Sequence, residues 1–294
     1  MNLSTVVIIA TKGRPRDVAN LLEMLALQTI PPDRIVVSAC DQNDIEQGSL
    51  AAQNVDTLFG APGLPVQRNR ALSSVAGKYD IVIFFDDDFV PSRFWIERIK
   101  ILLASQPDVV SVTGKLLADG VTFGGLQRPD GQSMVDRADL SKETATLNSY
   151  TIQDHRSAYG CNMAFRAKSI EHLTFDERLV LYGWLEDRDF SFRAGPRMVW
   201  TDAVWGVHLG TTRGRSSGLS FGYSQVVNPR YLVKKGTMSF VDACRTICRA
   251  LAGNAIGSFF PSSLIDRRGR LRGNMMAVKD IVCGRWAPER AADL

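Results

Sequence analysis

Three uninterrupted apolar runs restrict this chain more than any other feature: TVVIIA at Thr5–Ala10, RIVVSA at Arg34–Ala39 and IVIFF at 81–85. Each is short, rich in β-branched or aromatic residues, and lacks the polar alternation of a half-exposed strand. Both faces of such a strand must be covered. Between the first two runs, Val18, Leu21, Leu22 and Leu25 recur at helical spacing, behind a proline at position 15 that suits a first helical turn. Residues 54–59 read as a third strand closed by GAPGLP. Residues 67–75 read as a helix, and Phe94, Ile96, Ile99 and Leu103 mark another before VVSVT at 109–113. Strands alternating with helices in this way predict an α/β fold with a Rossmann-like, mostly parallel sheet flanked by helices.

The second half is less regular. Residues 118–147, rich in Gly, Asp and Ser, read as a long irregular excursion, and YGCNMAFR at 159–166 as a strand. A short polar helix over 184–194 stops at Gly195 and Pro196. Residues 197–200 and 204–209 read as two short strands, and TTRGRSSG at 211–218 as a flexible basic loop. Helices are expected at 218–235, 240–252 and 274–283. The chain therefore divides into 1–212, with parts at about 1–115 and 150–212, and a loop plus helical region at 213–294.

A hydrophobic share of 45% and a charged share of 22% are those of an ordinary soluble globular protein, and a net charge of +4 is too small to argue for nucleic acid. Five cysteines make a poor disulfide framework. Cys40 and Cys161 read as small buried hydrophobes, and a reducing cytoplasm fits. The N-terminus lacks the basic start of a signal peptide, and no apolar window reaches the length of about 18 residues needed to span a bilayer.

Asp86, Asp87 and Asp88 follow directly on the 81–85 run, at the strand end where open α/β sheets bind ligands. Neighbouring carboxylates raise one another's pKa, and a divalent cation offsets that cost. Hard oxygen ligands suit Mg²⁺ or Mn²⁺. Alternation along an extended segment would turn Asp86 and Asp88 toward one ligand and Asp87 elsewhere. The competing reading is a solvated turn that caps a helix beginning at Pro91. A second acidic group, WLEDRDFSFR at 184–193, also fits acids gathered at a helix N-terminus, and that is the reading for Asp189. Of the three histidines, His155 and His172 sit in no motif. Arg68 offers a planar fork for phosphate or a base edge, while Arg70 reads as a solvated helix face.

In order along the chain, "VVIIATKGRP…LLEMLALQT", "PVQRNRAL", "IVIFFDDDFVP", "YGCNMAFR" and "YGWLEDRDFSFR" resemble the motifs of glycosyltransferase family 2 over roughly residues 5–210. These are inverting enzymes of GT-A fold acting on nucleotide-diphosphate sugars. The resemblance implies a GT-A catalytic domain over 1–212, nucleotide-binding first and acceptor-binding after. It implies a divalent ion on Asp88, with Asp86 at the metal or the ribose and His208 completing the shell. Asp187, or failing it Glu186, would be the base that deprotonates the acceptor hydroxyl. Thr11, Arg14, Arg68, Asn69, Asp86 and Asp87 would serve the nucleotide sugar, and Asn162, Gly183 and Trp184 the acceptor. Arg213 and Arg215 would close over the diphosphate as a lid. The family's adjacent acids after the second strand are replaced by CDQND. Either Asp41 or Asp44 stands in, which leaves UDP, GDP and dTDP open, with UDP taken first. The activity implied is transfer to a glycan or lipid-linked glycan, in bacterial-type polysaccharide or glycoconjugate synthesis.

Two other classes compete. A sugar-phosphate nucleotidyltransferase pairs a similar sheet with Mg²⁺ carboxylates, but ATKGRP has too few glycines for its phosphate loop. A non-catalytic sugar-nucleotide or glycan-binding module would not need both acidic centres. Beyond residue 240, nine Lys/Arg stand against five Asp/Glu. FVDACRTICRALAGNAIGSFF carries an apolar stripe and DRRGRLRG a basic cluster. Such helices suit peripheral contact with the inner face of a membrane, or packing against the catalytic domain or a sister subunit in a homodimer.

Overall fold

The protein is seen here as a computed structural model that describes residues 3–46, 48, 54–122, 124–142, 150–211, 217–260 and 265–294. It forms two compact units. The first holds the described residues up to 62, 67–174 and 194–211; the second holds 63–66, 175–193 and those from 217 onward.

The first unit is built on β1 (Thr5–Ala10), α1 (Pro15–Ala26), β2 (Arg34–Ala39), β3 (Val55–Phe59), α2 (Leu64–Val75, its first turn in the other unit), β4 (Ile81–Asp86), β5 (Phe89–Pro91), α3 (Trp95–Ser105), β6 (Ser111–Asp119), α4 (Arg128–Lys142), β7 (Ile152–His155), β8 (Asn162–Arg166), α5 (Ala167–Ile170) and β9 (Met198–His208). Its sheet runs β3-β2-β1-β4-β8-β6-β9-β5, with β7 on β9. The block β3-β2-β1-β4 is parallel, as the apolar runs require. Beyond it β8 is antiparallel to both neighbours, β6 and β9 are parallel, and β5 is antiparallel to β9. The α/β expectation holds, with the four-strand parallel block drawn from the first half of the chain.

Val7, Ile9, Val37, Ile83 and Phe85 meet Leu21, Leu25, Ile99 and Leu103 in the main core. Each such side chain contributes about 1.5–3 kcal/mol on burial. Parallel pairing puts Ala10 beside both Ser38 and Asp86, so β1, β2 and β4 end together.

Of the irregular excursion expected over 118–147, residues 123 and 143–147 lie outside the described residues, and much of the rest is regular. β6 runs on to Asp119, and α4 follows. The helix escaped notice because a carboxylate docks it: buried Asp139 accepts from Ser92 Oγ at 2.7 Å and Trp205 Nε1 at 2.8 Å. Its apolar anchor is Val135, packed on Val90, Val207 and Leu209. The two short strands expected at 197–209 are the single strand β9. Pro91 ends β5, where a missing N–H costs no ladder bond at a sheet edge, and α3 begins only at Trp95. Cys161 is buried, whereas Cys40 is only half-buried.

The second unit contains α6 (Glu186–Ala194), α7 (Gly218–Lys235), α8 (Phe240–Ser258) and α9 (Arg267–Val282). The last begins earlier than its apolar pattern suggests because Asp266 caps it, accepting from Gly269 N at 2.7 Å. Tyr223, Val226 and Val227 pack on Ala277 and Ala291. Close approach of α7 and α9 depends on glycine: a Cβ on Gly273 would lie 2.1 Å from the Leu219 carbonyl oxygen. Among the described residues no helix is long and apolar enough to cross a membrane.

Candidate active site

β4 ends at Asp86, the chain turns through Asp87 and Asp88, and β5 starts at Phe89. Phe89 is paired with His208 across the β5–β9 ladder, which delivers the imidazole to the acidic turn. Asp86, Asp88 and His208 thereby bring one ligand atom each within 4.8 Å of one another. His208 Nε2 lies 3.3 Å from Asp88 Oδ1 and 3.9 Å from Asp86 Oδ2. Its Nδ1 lies 3.0 Å from Asp119 Oδ1, and Asp119 Oδ2 accepts from the Tyr159 hydroxyl at 2.9 Å.

This arrangement fits a divalent cation. A neutral His208 that donates Nδ1–H to Asp119 turns the Nε2 lone pair toward Asp88 and Asp86. A carboxylate holding the far nitrogen of a metal-ligating histidine is the usual support for such a ligand. Two carboxylates with one imidazole suit Mn²⁺ or Mg²⁺. Without the ion a proton takes its place. Burial alone lowers the His208 pKa, but the charge of Asp88 and hydrogen bonds to Asp119 and Asp88 outweigh this and raise it to about 10. Asp88 is buried too, yet His208 and Arg14 hold its pKa below the ordinary value. The Thr211 N–H also donates to Asp88 Oδ2, at 2.6 Å.

Asp87 turns the other way, as alternation requires. Its Oδ2 accepts from Thr11 Oγ1 at 2.7 Å and its Oδ1 from Arg14 Nη1 at 2.8 Å. Burial pushes Asp87 up to about 7 against the pull of Arg14. Thr11 and Arg14 thus brace the acidic turn, and Arg14 Nη2 also reaches the Thr211 carbonyl at 3.1 Å.

Several sequence expectations need correction. Arg68 is not an open fork: it is 2% exposed, and its Nη2 donates to Asp86 Oδ1 at 2.8 Å and to the Gly160 carbonyl at 2.9 Å. It holds the Asp86 carboxylate in place. Asn69 beside it is buried. Asn162 is fully buried and pinned to β6: Oδ1 accepts from Thr113 Oγ1 at 2.8 Å and Gly114 N at 3.1 Å, and Nδ2 donates to the Gly114 carbonyl. It is part of the sheet and not an acceptor contact. Arg70 is no solvated face, since its guanidinium bonds the Ala39 and Ala61 carbonyls at 2.9 and 2.6 Å. Of the two acids after β2, Asp44 is the buried one and accepts from the N–H groups of Gly13, Cys40 and Asp41. Asp41 is exposed and caps the turn through Asn43 N.

The second acidic group belongs to the second unit. Leu181, Gly183 and Leu185 all have positive φ, at 61°, 66° and 71°. Left-handed backbone at two leucines is strained, a state that functional segments tend to retain. The kinked segment leads into α6, where Glu186 is buried and Asp187 half-buried, its Oδ1 accepting from Arg188 N. Trp184 is half-buried, edge-on to Phe221 at 5.3 Å, in a shallow depression also lined by Tyr182 and Ser224. Asp189 is fully buried in a structural network with Arg193, Lys235 and Thr237. Arg213 and Arg215 lie outside the described residues.

Sequence reasoning passed over Asp119 and Tyr159. Asp119 ends β6 in the unremarkable run LLADG, and only the β6–β9 register, which sets Asp119 opposite His208, reveals its task.

No protein-family model matches the chain, and no curated protein matches it. Solved structures do. A mannosyltransferase, PcManGT of Pyrobaculum calidifontis, in complex with GDP-Man and Mn²⁺, aligns over 97% of this chain and 88% of its own at 17% identity and a TM-score of 0.52. TarS of S. aureus aligns over 87% of this chain at 15% identity and a TM-score of 0.51, and the chain spans 44% of its length. Likeness at these identities establishes architecture alone: the chain has the mixed α/β fold, a central sheet flanked by helices, that these two proteins share.

Proposed function

We propose that this chain is a metal-dependent inverting glycosyltransferase of the family 2 type, moving a sugar from a nucleotide-diphosphate donor, a UDP-sugar first, to a hydroxyl of a glycan or lipid-linked glycan. The observation that carries the reading is the convergence of Asp86, Asp88 and Asp119-oriented His208 at the end of a parallel strand. The fold neighbour bound to GDP-Man and Mn²⁺ supports it.

Asp86, Asp88 and His208 would hold Mn²⁺ or Mg²⁺, which supplies charge neutralisation to the departing nucleoside diphosphate. Arg68 fixes the Asp86 carboxylate, and Asp119 fixes the imidazole. The Thr11–Asp87–Arg14 contacts set the shape of the turn that meets the nucleotide. Asp187, with Glu186 as the alternative, accepts the proton of the acceptor hydroxyl as that oxygen attacks the anomeric carbon. A single displacement of this kind needs one base and inverts the configuration. Gly183 and Trp184 border the acceptor.

The test is a thermal-shift screen of UDP, GDP, dTDP and CMP with Mn²⁺ or Mg²⁺, since a ligand of the folded state raises Tm. A hit that requires metal and is lost in Asp88→Asn supports the reading, and donor turnover follows. Asp187→Asn is expected to abolish transfer while nucleotide binding persists; transfer retained in that variant moves the base to Glu186.

A further inference from the structure

The outward faces of α8 and α9 carry something other than a solvated surface. At the end of α8, Ile256, Phe259 and Phe260 are 64%, 79% and 75% exposed. Val241 lies on the same helix, and Met275, Val278 and Val282 on α9 are exposed as well. Scattered exposed apolar residues are normal, but three large ones within five positions at a helix tip are not.

Charge gives the apolar residues a context. Among the residues that α8 and α9 leave exposed, Arg245, Arg249, Arg268, Arg272 and Lys279 are basic and none is acidic. The acids of these helices are largely engaged: Asp242 bonds Arg188 at 2.8 Å and lies 4.0 Å from Arg245, Asp280 bonds Tyr223 and Arg290, and the exposed Asp266 caps α9. Two arginines border the same helix tip. Arg268 Nε donates to the Ser258 carbonyl at 3.2 Å, and the Arg267 side chain lies against Gly257.

We propose that this face docks on an anionic lipid surface, with Phe259, Phe260 and Ile256 entering the headgroup region and the surrounding arginines meeting lipid phosphates. Aliphatic and aromatic residues interleaved with arginine suit a helix lying in the interface, and no described helix is able to span. A second copy of the chain is a poorer occupant. A two-fold contact sets the same patch against itself, and here that opposes arginine to arginine.

The experiment uses the whole chain and sucrose-loaded vesicles of phosphatidylcholine, alone or mixed with phosphatidylglycerol. The chain is expected to sediment with anionic vesicles at low salt, more weakly as salt rises, and poorly with neutral ones. Each basic residue near an anionic surface strengthens binding about 5-fold, so reversing two of them in Arg249→Glu/Arg272→Glu is expected to weaken partition at least about 25-fold. Phe259→Ser/Phe260→Ser is expected to weaken it at least about 10-fold with Tm unchanged, because both rings are already exposed. No sedimentation at low salt, or binding indifferent to both variants, overturns the proposal. So does a soluble oligomer that the variants dissociate while vesicles are ignored, which assigns the face to a protein partner. Metal-dependent nucleotide binding, read by thermal shift on the same protein, is independent of these results and reports separately on the proposed activity.

Discussion

Loading the proposed metal site is expected to expel a proton. His208 Nε2 faces Asp88 and Asp86, and in the ion-free site their charge raises its pKa to about 10 from an ordinary value of 6.5. At pH 7.5 the imidazolium then outnumbers the neutral ring by about 300 to 1. A cation ligated by Nε2 must displace that proton, so one proton should leave per ion bound and apparent affinity should rise about tenfold per pH unit between pH 7 and 9. Isothermal titration of Mn²⁺ in Tris and in HEPES, whose ionisation enthalpies differ, measures the release directly. The observed heat should shift between buffers by the full difference for one proton. In His208→Gln that dependence should vanish and binding should weaken. The sign carries over to the ion-free fold. A pKa raised on folding adds stability that is complete below about pH 6.5 and is lost as pH rises through about 10, so the Tm of the ion-free protein should fall across that window. Heats that do not depend on buffer would mean that His208 is neutral without metal or does not ligate it, and either result refutes the argument.

Three further substitutions probe separate parts of the structure. Asp119→Ala frees the imidazole to rotate and should weaken Mn²⁺ binding about 10- to 100-fold, read by the same titration, with little change in Tm. Asn162→Ala should lower stability by about 1–3 kcal/mol in urea unfolding, because Thr113 and Gly114 lose buried partners, while the KM for any acceptor stays the same. A large rise in KM at unchanged stability would restore Asn162 to the acceptor site. Asp189→Ala removes the buried carboxylate shared by Arg193, Lys235 and Thr237, although Lys235 keeps Asp176, and should destabilise the second unit by about 1–3 kcal/mol, seen as a lower urea midpoint.

The parts of this fold governed by nearest neighbours were legible in advance. TVVIIA, RIVVSA and IVIFF announced buried parallel strands because a strand covered on both faces has no polar alternation to obscure it. The turn of Asp86 away from Asp87 followed from the two-residue period of extended chain. Long-range polar contacts were not legible. Helix α4 is seated by the Asp139 carboxylate on Ser92 and Trp205, and no periodicity encodes that. In QRNRAL, Arg68 reads as an open fork and Arg70 as a solvated face, yet the first is buried against Asp86 and the second ties down backbone carbonyls. Asn162, expected on the acceptor side, instead spends its amide on Thr113 and Gly114 of β6, contacts that no local pattern announces.

The way β5 folds back onto β9 also orders events in time. Asp88 meets the backbone of Thr211 across 123 positions of chain, so the proposed cation pocket cannot close until the chain has been made as far as residue 211. A nascent chain halted after β4 would carry Asp86 with none of Asp88, Asp119, His208 or Thr211 yet made. Ion capture would then serve as a clock for refolding, starting only after the last strand has threaded home. Manganese relaxation followed alongside tryptophan fluorescence would separate the early assembly of the sheet from that final closure.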